Sequence, residues 1–307
     1  MSGSTAVRKE LILQQMNTLE FFADIEKPMK LEEFLRREKQ VSRRLLAKCK
    51  YHGSITCGGK NIRTVDVINP GETVVLMYPA AECTAVPNPE LKVPVLYRSR
   101  DIIVYDKPPF MPSHQSQGHY TDTLANAFAN EYPHVPFRCL TRLDRNTSGV
   151  CAAALTAYGA GFLQGRIEKL YLGAVTGVLI GKGKVNAPIA RVSDSVILRC
   201  VSESGKPAVS LYERIFGNDR YTLVQLTPVT GRTHQLRVHM AHIGYPLAGD
   251  DLYGETSEDM DRHALHCAAV RFPCPETGRY VTVRSRLPDD MASLFPDENA
   301  SALAIDF

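Results

Sequence analysis

Short apolar runs of strand length recur along almost the whole sequence, and turn-forming residues separate them. They lie at 18–25, 54–63, 72–78, 95–109, 139–143, 149–155, 169–180, 208–215 and 221–227. Helical spacing of apolar residues is confined to 31–40, 43–52, 121–132, 157–167 and 232–242. Because many strands are interleaved with few helices, the sequence predicts an α+β fold with a mixed, mainly antiparallel β-sheet and flanking helices.

A proline-rich stretch divides the chain. Residues 79–95 contain four prolines and no regular apolar period, which is typical of a linker. We therefore expect a small N-terminal α/β domain over 1–78 with its core at 30–78, a linker over 79–95, and a larger domain over 96–307. Ser42 is expected to cap the second N-terminal helix, and Gly53 to end it. For the helix at 121–132, Thr121 or Asp122 is the expected cap.

Positive charge is concentrated in the N-terminal part. Between Lys30 and Arg63, ten Lys and Arg residues face three acids, a net charge of +7 in a chain whose total is +3. Such a cluster is the electrostatic signature of polyanion binding, whereas a solvated helix face would carry interspersed acids. The side chains that we expect to contact nucleic acid here are Arg36, Arg37, Arg43, Arg44, Lys48, Lys50 and Lys60.

Composition excludes several classes of protein. No apolar run approaches the roughly 20 residues of a membrane span, and the N-terminus does not have the pattern of a signal peptide. The eight cysteines include no CxxC pair, so a zinc ribbon is not expected. Free thiols favour a reducing compartment. We therefore expect a cytoplasmic monomer without a membrane partner.

Two polar segments, RLDRNTSG at 142–149 and TGRTHQLRVHMAHIGYPLAGDDLYG at 230–254, are too rich in Gly and Arg for ordinary core. Asp144 could be a turn residue paired to Arg142 or Arg145, or a carboxylate placed for chemistry. An arginine ion pair would keep it charged and oriented. The helix predicted at 232–242 carries Arg232, His234, Gln235, Arg237 and His239, and a basic helix start suits an anion.

Other chemistries fit these segments less well. His234, His239 and His242 are spaced by five and three residues, so they lie poorly on one face of a helix. No HExxH motif is present either, and no metal is therefore expected. Ser148 has no GxSxG elbow. The GGKN at 58–61 lacks the frame of a phosphate-binding loop, and no dinucleotide fingerprint occurs.

The two segments together resemble the RluA type of the pseudouridine synthase family, whose pattern is HRLDxxTSG followed by GRTHQ-[LI]-R-x-H and G-x-P-x(2)-GD-x(2)-YG. The stretches at 105–116, 169–175, 205–212 and 264–278 also agree and occur in the family's order, so the resemblance covers about 96–288. One departure is Thr141, where the family usually has His; we expect no loss of activity from it. The N-terminal unit resembles, less specifically, the S-four-type RNA-binding module.

The resemblance implies isomerisation of uridine to pseudouridine within RNA, with ribosomal RNA of the large subunit as the expected target and transfer RNA as the alternative. No cofactor or metal is implied. Asp144 would act as nucleophile or as base at the ribose, and Arg237 would hold it charged. Tyr171 would lie against the uracil, and Arg142 would take the place of the flipped nucleotide in the RNA stack.

The remaining motif residues receive weaker predictions. Arg232, His234, Gln235 and His239 would support the helix of Arg237 or contact phosphate, while Asp250 and Tyr253 are expected to close a turn. Two other functions stay open. A non-catalytic RNA-binding protein would be expected to lose Asp144 or Arg237, and both are present. A glycoside hydrolase needs two acids, and one convincing acid is found.

Overall fold

A ten-stranded mixed sheet forms the framework of the protein. The computed structural model describes residues 16–193, 195–298 and 300. The order along the sheet is β12-β15-β16-β11-β17-β10-β8-β7, with β18 paired to β17 and β9 to β10. Its strands are β7 (Val95–Arg98), β8 (Ile102–Lys107), β9 (Arg138–Cys139), β10 (Ser148–Ala154), β11 (Glu168–Thr176), β12 (Lys182–Asn186), β15 (Val209–Gly217), β16 (Tyr221–Pro228), β17 (Leu265–Pro273) and β18 (Tyr280–Arg284).

The predicted α+β class and the mainly antiparallel sheet are confirmed. One parallel pair, β10 with β17, lies at the centre of the sheet, and its ladder is only two residues long. Gly149 makes this close approach possible. It has a φ of +105°, and a Cβ there would lie 2.2 Å from the carbonyl oxygen of Cys267, so a larger side chain would be both strained and excluded.

Helices flank the sheet at α3 (Leu124–Glu131), α4 (Ala157–Leu163), α5 (Gln235–His242) and α6 (Asp289–Ala292). Several predicted elements were too long. The cap of α3 is Thr123, in a reciprocal arrangement with Asn126, rather than Thr121 or Asp122. Helix α4 ends before Gly165, whose φ is +74°, and β11 ends before Gly177, whose φ is +91°.

The strand predicted at 139–143 is also shorter than expected. After β9 the chain leaves the ladder, because the backbone N–H groups of Leu140 and Thr141 both donate to the carbonyl of Ala152, at 2.8 and 3.3 Å. The hydroxyl of Thr141 then accepts from the N–H of Ala152 at 2.7 Å. This irregular pairing turns residues 142–147 out of the sheet as a loop.

The N-terminal unit is built on its own antiparallel sheet, β1-β6-β3-β4. Helix α1 (Leu31–Glu33) continues into a π-helical turn at Phe34–Glu38, and α2 spans Arg43–His52. Ser42 caps α2 as predicted, and the helix ends before Gly53. The strands are β1 (Met16–Phe22), β2 (Met29–Lys30), β3 (Ser54–Cys57), β4 (Lys60–Asn61), β5 (Val67–Ile68) and β6 (Thr73–Pro79).

This unit packs on the large sheet through α4. The ring of Phe21 meets that of Tyr158 edge to face at 5.3 Å, and the Tyr158 hydroxyl donates to the carbonyl of Lys39 at 2.9 Å. Buried side chains of both parts join in one hydrophobic cluster. Contacts through a shared apolar core fix the position of the basic N-terminal surface relative to the sheet.

The linker predicted at 79–95 begins and ends on strand residues, Pro79 of β6 and Val95 of β7, and residues 80–94 between them contain no helix or strand but lie along α3. The Asn126 side chain donates to the carbonyl of Val86 at 2.7 Å, and the Asn130 side chain to that of Asn88 at 2.5 Å. The segment is therefore fastened to the larger part of the protein. Within the described part of the chain, no helix combines the length and apolar character needed to cross a membrane.

Candidate active site

The loop at 142–147, between β9 and β10, is fixed by buried polar groups around its backbone. Ser113 Oγ donates to the carbonyl of Leu143 at 2.8 Å. Lys107 Nζ lies 3.2 Å from the carbonyl of Arg145, and Arg262 Nη1 lies 3.1 Å from that of Asn146. Because these donors are almost inaccessible to water, the loop keeps one conformation and presents Asp144 in a defined position.

Two buried histidines hold the end of the same loop. His263 Nε2 lies 2.8 Å from Thr147 Oγ1, and His266 Nδ1 lies 3.0 Å from Ser148 Oγ. Burial lowers the pKa of His263 to about 3 and that of His266 to about 4. Both imidazoles are therefore neutral at physiological pH.

Asp144 lies in a cavity of about 430 Å³ that also takes in Tyr171, His234 and Arg237. Its side chain is 25% exposed, so a ligand can reach the carboxylate. Two basic side chains lie within 4 Å of it: His234, with Nε2 3.8 Å from Oδ2, and Arg237, with Nη1 3.9 Å away. Asp144 forms no ion pair with either neighbouring arginine among the described residues, in contrast to the turn-residue interpretation.

The principal partner of Arg237 is Asp250. Arg237 Nε and Nη2 donate to its two carboxylate oxygens at 2.8 and 2.6 Å, and both side chains are buried. Burial alone would lower the pKa of Arg237, but its bonds to Asp250 outweigh that effect and raise it. Asp250 closes a turn as predicted, since its Oδ1 accepts from the backbone N–H groups of Leu252 and Tyr253 at 3.1 and 3.2 Å. It also holds Arg237 with Nη1 facing Asp144.

Tyr171 lies on β11, and its side chain is buried at the wall of the cavity. Burial raises the pKa of its hydroxyl well above the ordinary value, and the charge of Asp144 adds to the shift. The phenol is therefore neutral, and it lines the same cavity as the carboxylate.

The helix of Arg237 begins later than predicted. It starts at Gln235 because His234 has a left-handed backbone, with φ +56° and ψ +18°, so Arg232 and His234 precede α5. Gln235 fastens this start, since its Oε1 accepts from the N–H of Arg232 at 3.0 Å and its Nε2 donates to the carbonyl of Val209 at 2.9 Å.

The other two supporting residues differ in position. Arg232 is exposed, lines the cavity and donates to the carbonyl of Pro207 at 3.0 Å. His239 is fully buried, with its ring nitrogens 2.9 Å from Ser210 Oγ and from the carbonyl of Ala187. Since His239 does not line the cavity, the structure assigns it to packing and not to phosphate contact.

His234 and Tyr253 form a pair that the sequence did not indicate. Tyr253 Oη lies 2.8 Å from His234 Nδ1 and accepts from the backbone N–H of Arg199 at 3.0 Å. Arg199 begins β14 (Arg199–Val201), which pairs with β13 (Ile189–Arg191) as a hairpin. Tyr253, like Asp250, was expected only to close a turn. Burial lowers the pKa of His234, although Asp144 opposes the shift.

Arg142 lies at the rim of the cavity, where its side chain is exposed and Nη2 is 3.3 Å from Thr233 Oγ1. The predicted basic side chains of the N-terminal unit differ in exposure. Arg37, Arg43, Arg44, Lys50 and Lys60 are exposed, and Arg36 and Lys48 are half-buried. Within the described residues, only Arg37 of this group forms an ion pair, with Glu33 at 2.6 Å.

Three comparisons with known proteins show which family the chain belongs to. The family model described as RNA pseudouridylate synthase matches residues 101–242. The uncharacterized RNA pseudouridine synthase YjbO of Bacillus subtilis is 33% identical over 275 residues, covering 85% of this chain and 97% of that protein. The ribosomal large subunit pseudouridine synthase D of Pseudomonas aeruginosa is 32% identical over 272 residues, covering 81% and 85%.

Among solved structures, human RNA pseudouridylate synthase domain containing 1 matches with a TM-score of 0.55 and 30% identity, over 68% of this chain and 88% of that one. The matches cover 97% and 85% of the two relatives, and the stretch matched by the family model contains Asp144. The chain therefore belongs to the RNA pseudouridine synthase family, in its RluA type, and is an RNA pseudouridine synthase.

Proposed function

We propose that this enzyme isomerises specific uridines of large-subunit ribosomal RNA, with the carboxylate of Asp144 as its catalytic group. The observation that carries the proposal is the position of Asp144: a partly exposed carboxylate in a cavity, 3.9 Å from a buried arginine. Several of the relatives are named for the large ribosomal subunit, which favours ribosomal over transfer RNA.

The reaction moves the attachment of the ribose from N1 to C5 of the same uracil and needs no outside reagent. The bond between N1 of uracil and C1′ of ribose breaks, the base turns, C5 bonds to C1′, and the proton lost from C5 is balanced by one gained at N1. Asp144 would act at the ribose, as nucleophile at C1′ or as base. Arg237, with Nη1 3.9 Å from Oδ2, would hold that carboxylate in position.

The reacting atoms of a stacked uridine are out of reach of a side chain at the bottom of a cavity, so the nucleotide must leave the helix. Arg142, exposed at the rim, is placed to fill the space that the uridine leaves. Tyr171 supplies an aromatic surface for the extruded base. These roles make Asp144, Tyr171 and Arg237 the catalytic set and Arg142 an RNA-binding residue.

We also propose that residues 1–78 are an RNA-binding domain of the S-four type, joined by 79–95 to a catalytic domain over 96–307, in a monomeric cytoplasmic enzyme. The support is the exposed basic surface and the separate sheet, while residues 1–15 and 301–307 lie outside the described part. The contact through Tyr158 fixes this surface relative to the cavity.

The test is a map of pseudouridine in total RNA from cells with and without the protein. Loss of a modification from large-subunit RNA, restored by the wild-type gene and not by an Asp144→Asn gene, is the expected result. Loss confined to transfer RNA would move the substrate to the alternative class. An unchanged map, or full restoration by Asp144→Asn, would contradict the proposal.

A further inference from the structure

The environment of His234 determines which of its two ring nitrogens carries the proton. Nε2 faces Asp144 Oδ2 at 3.8 Å, and Nδ1 faces Tyr253 Oη at 2.8 Å. An ionised carboxylate only accepts hydrogen bonds. A neutral imidazole has one donor nitrogen and one acceptor nitrogen, and the side with the carboxylate calls for the donor.

The other side of the ring leads to the same assignment. Tyr253 Oη already accepts from the backbone N–H of Arg199 at 3.0 Å, a donor that cannot change its role. The Tyr253 hydroxyl proton needs an acceptor in turn, and His234 Nδ1 is the one that the described residues offer it. Tyr253 then donates to Nδ1, which leaves the imidazole proton on Nε2.

We propose that His234 is a positioning residue, held by Tyr253 in its neutral Nε2–H form so that it directs a hydrogen-bond donor at Asp144. The inference rests on the proposed catalytic role of Asp144. At 3.8 Å the contact is longer than a hydrogen bond, and such contacts shorten when a substrate closes the site. His234 would fix one carboxylate oxygen while Arg237 approaches the same group from α5.

Two features of the fold support a dedicated role for His234. Its backbone is held in the left-handed region, which is costly for a residue that only packs. The Tyr253 ring also stands edge-on to the imidazole, with 5.7 Å between the centroids, so the histidine cannot easily turn over. A series of contacts from the backbone of β14 through Tyr253 to His234 thus links the β13–β14 hairpin to the active-site carboxylate.

The protonation state can be read directly by nuclear magnetic resonance. Long-range ¹H–¹⁵N correlation spectra of enzyme with labelled histidine distinguish protonated from unprotonated ring nitrogens, and the His234 signals are identified by their loss in His234→Asn. We expect a protonated Nε2 and an unprotonated Nδ1 at about pH 7.5, well above the ordinary histidine pKa, and a mixture of both forms in Tyr253→Phe. A protonated Nδ1 in the wild type would overturn the inference, whatever the outcome for Asp144.

The titratable and charged groups around His234 must be considered together in any pH series; they are Asp144, Arg199, Arg237, Asp250, Tyr253 and His263. Because Tyr253 donates to Nδ1 only while Nδ1 is unprotonated, the spectrum should show one transition, to the doubly protonated ring, at a pH below the ordinary histidine value. That transition should move to higher pH in Tyr253→Phe, where Nδ1 is free to take a proton.

A pair of variants provides the kinetic test. The Gln amide nitrogen can take the place of Nε2, whereas the shorter Asn reaches only the place of Nδ1. Asn tolerates a left-handed backbone better than Gln does, so a purely structural role predicts that Asn is the better replacement. We expect the reverse: kcat falls about 10- to 100-fold in His234→Asn and less than about 10-fold in His234→Gln, as for one charge-assisted hydrogen bond. KM for RNA should change little in either, and equal or better activity of His234→Asn would contradict the inference.

Discussion

Arg237 makes its two short contacts with Asp250, at 2.8 and 2.6 Å, and both side chains are almost inaccessible to water. A bidentate pair of this kind fixes the plane of the guanidinium. Its remaining nitrogen therefore faces Asp144, 3.9 Å away, in a direction set by a second carboxylate. The geometry of the active site thus depends on an acid that does not face the cavity.

Replacing Asp250 by Asn should therefore damage both stability and activity. It leaves a buried guanidinium without its counter-charge, which costs about 3–5 kcal/mol of the free energy of unfolding. Chemical denaturation followed by circular dichroism measures the loss, and a kcat assay measures the effect of the displaced Arg237.

The matched control is Asp251→Asn. Asp251 is the next residue, its carboxylate lies 3.7 Å from Arg237, and its side chain is 62% exposed. An exposed ion pair of this kind contributes no more than about 1 kcal/mol. If Asp250→Asn were no more harmful than Asp251→Asn, the holding role of Asp250 would be wrong.

The Arg237–Asp250 pair also shows what the sequence alone could predict. RLDRNTSG and GRTHQLR stood out because their residue types are unusual for core, and the resemblance to the pseudouridine synthase family then implied the roles of Asp144 and Arg237. Asp250 could be read equally as a turn residue or as a partner, since 13 residues separate it from Arg237 and only the folded chain brings them together. A buried arginine requires an acid, and that requirement was the available signal.

The secondary structure, too, could be predicted from the sequence only in part. Period and turn residues were sufficient to locate the cap at Ser42, the end of α2 and many strands, among them β1, β6, β8, β10, β11, β15 and β16. They did not indicate β12, β13, β14, β17 or β18, although β17 lies at the centre of the large sheet. The start of α5 could not be foreseen, because a left-handed histidine at 234 is stabilised by Tyr253 and not by its neighbours in sequence. Likewise, β9 ends early because two successive N–H groups share the carbonyl of Ala152.

The exposed basic surface of α2 should carry a salt-dependent share of RNA affinity. Changing Arg43, Arg44 and Lys50 to Gln should weaken binding and reduce the slope of log K against log salt by about 2–3, since each phosphate that a cation neutralises adds roughly 0.7–0.9 to the slope. Filter binding at a series of salt concentrations measures the slope, and kcat at saturating RNA should stay unchanged.

A matched variant removes three exposed cations elsewhere: Lys182, Lys184 and Arg279 to Gln. These side chains belong to the large sheet and its loops. An equal loss of affinity in both triple variants would mean that total charge, and not the N-terminal surface, attracts the RNA.

Acid should destabilise the protein through the buried histidines. The unfolded chain binds a proton at His266 as the pH falls through about 6.5, but the folded protein does not until about 4. The free energy of unfolding therefore falls across this window, and by about pH 5 the share from His266 is roughly 2 kcal/mol. Urea denaturation at about pH 7 and about pH 5, on either side of the ordinary histidine pKa, measures the difference.

In His266→Asn that part of the pH dependence should disappear, even though the variant is less stable at neutral pH. The comparison is His52→Asn, at an exposed position, which should keep the wild-type dependence of the free energy of unfolding on pH. If the free energy of unfolding fell as much between these pH values in His266→Asn as in the wild type, other groups would cause the loss of stability in acid. The next variant would then replace His263, whose pKa lies at about 3.

The carboxylate of Asp144 is the centre of the account, and a single-turnover assay of Asp144→Asn on the substrate RNA tests it most directly. The exposed Asp219→Asn is the control and should behave as wild type. We expect no detectable pseudouridine from Asp144→Asn, with RNA affinity within about threefold of wild type, because the neutral amide keeps the shape of the side chain but cannot act as nucleophile or base. Pseudouridine formed by Asp144→Asn at the wild-type rate would contradict the assignment.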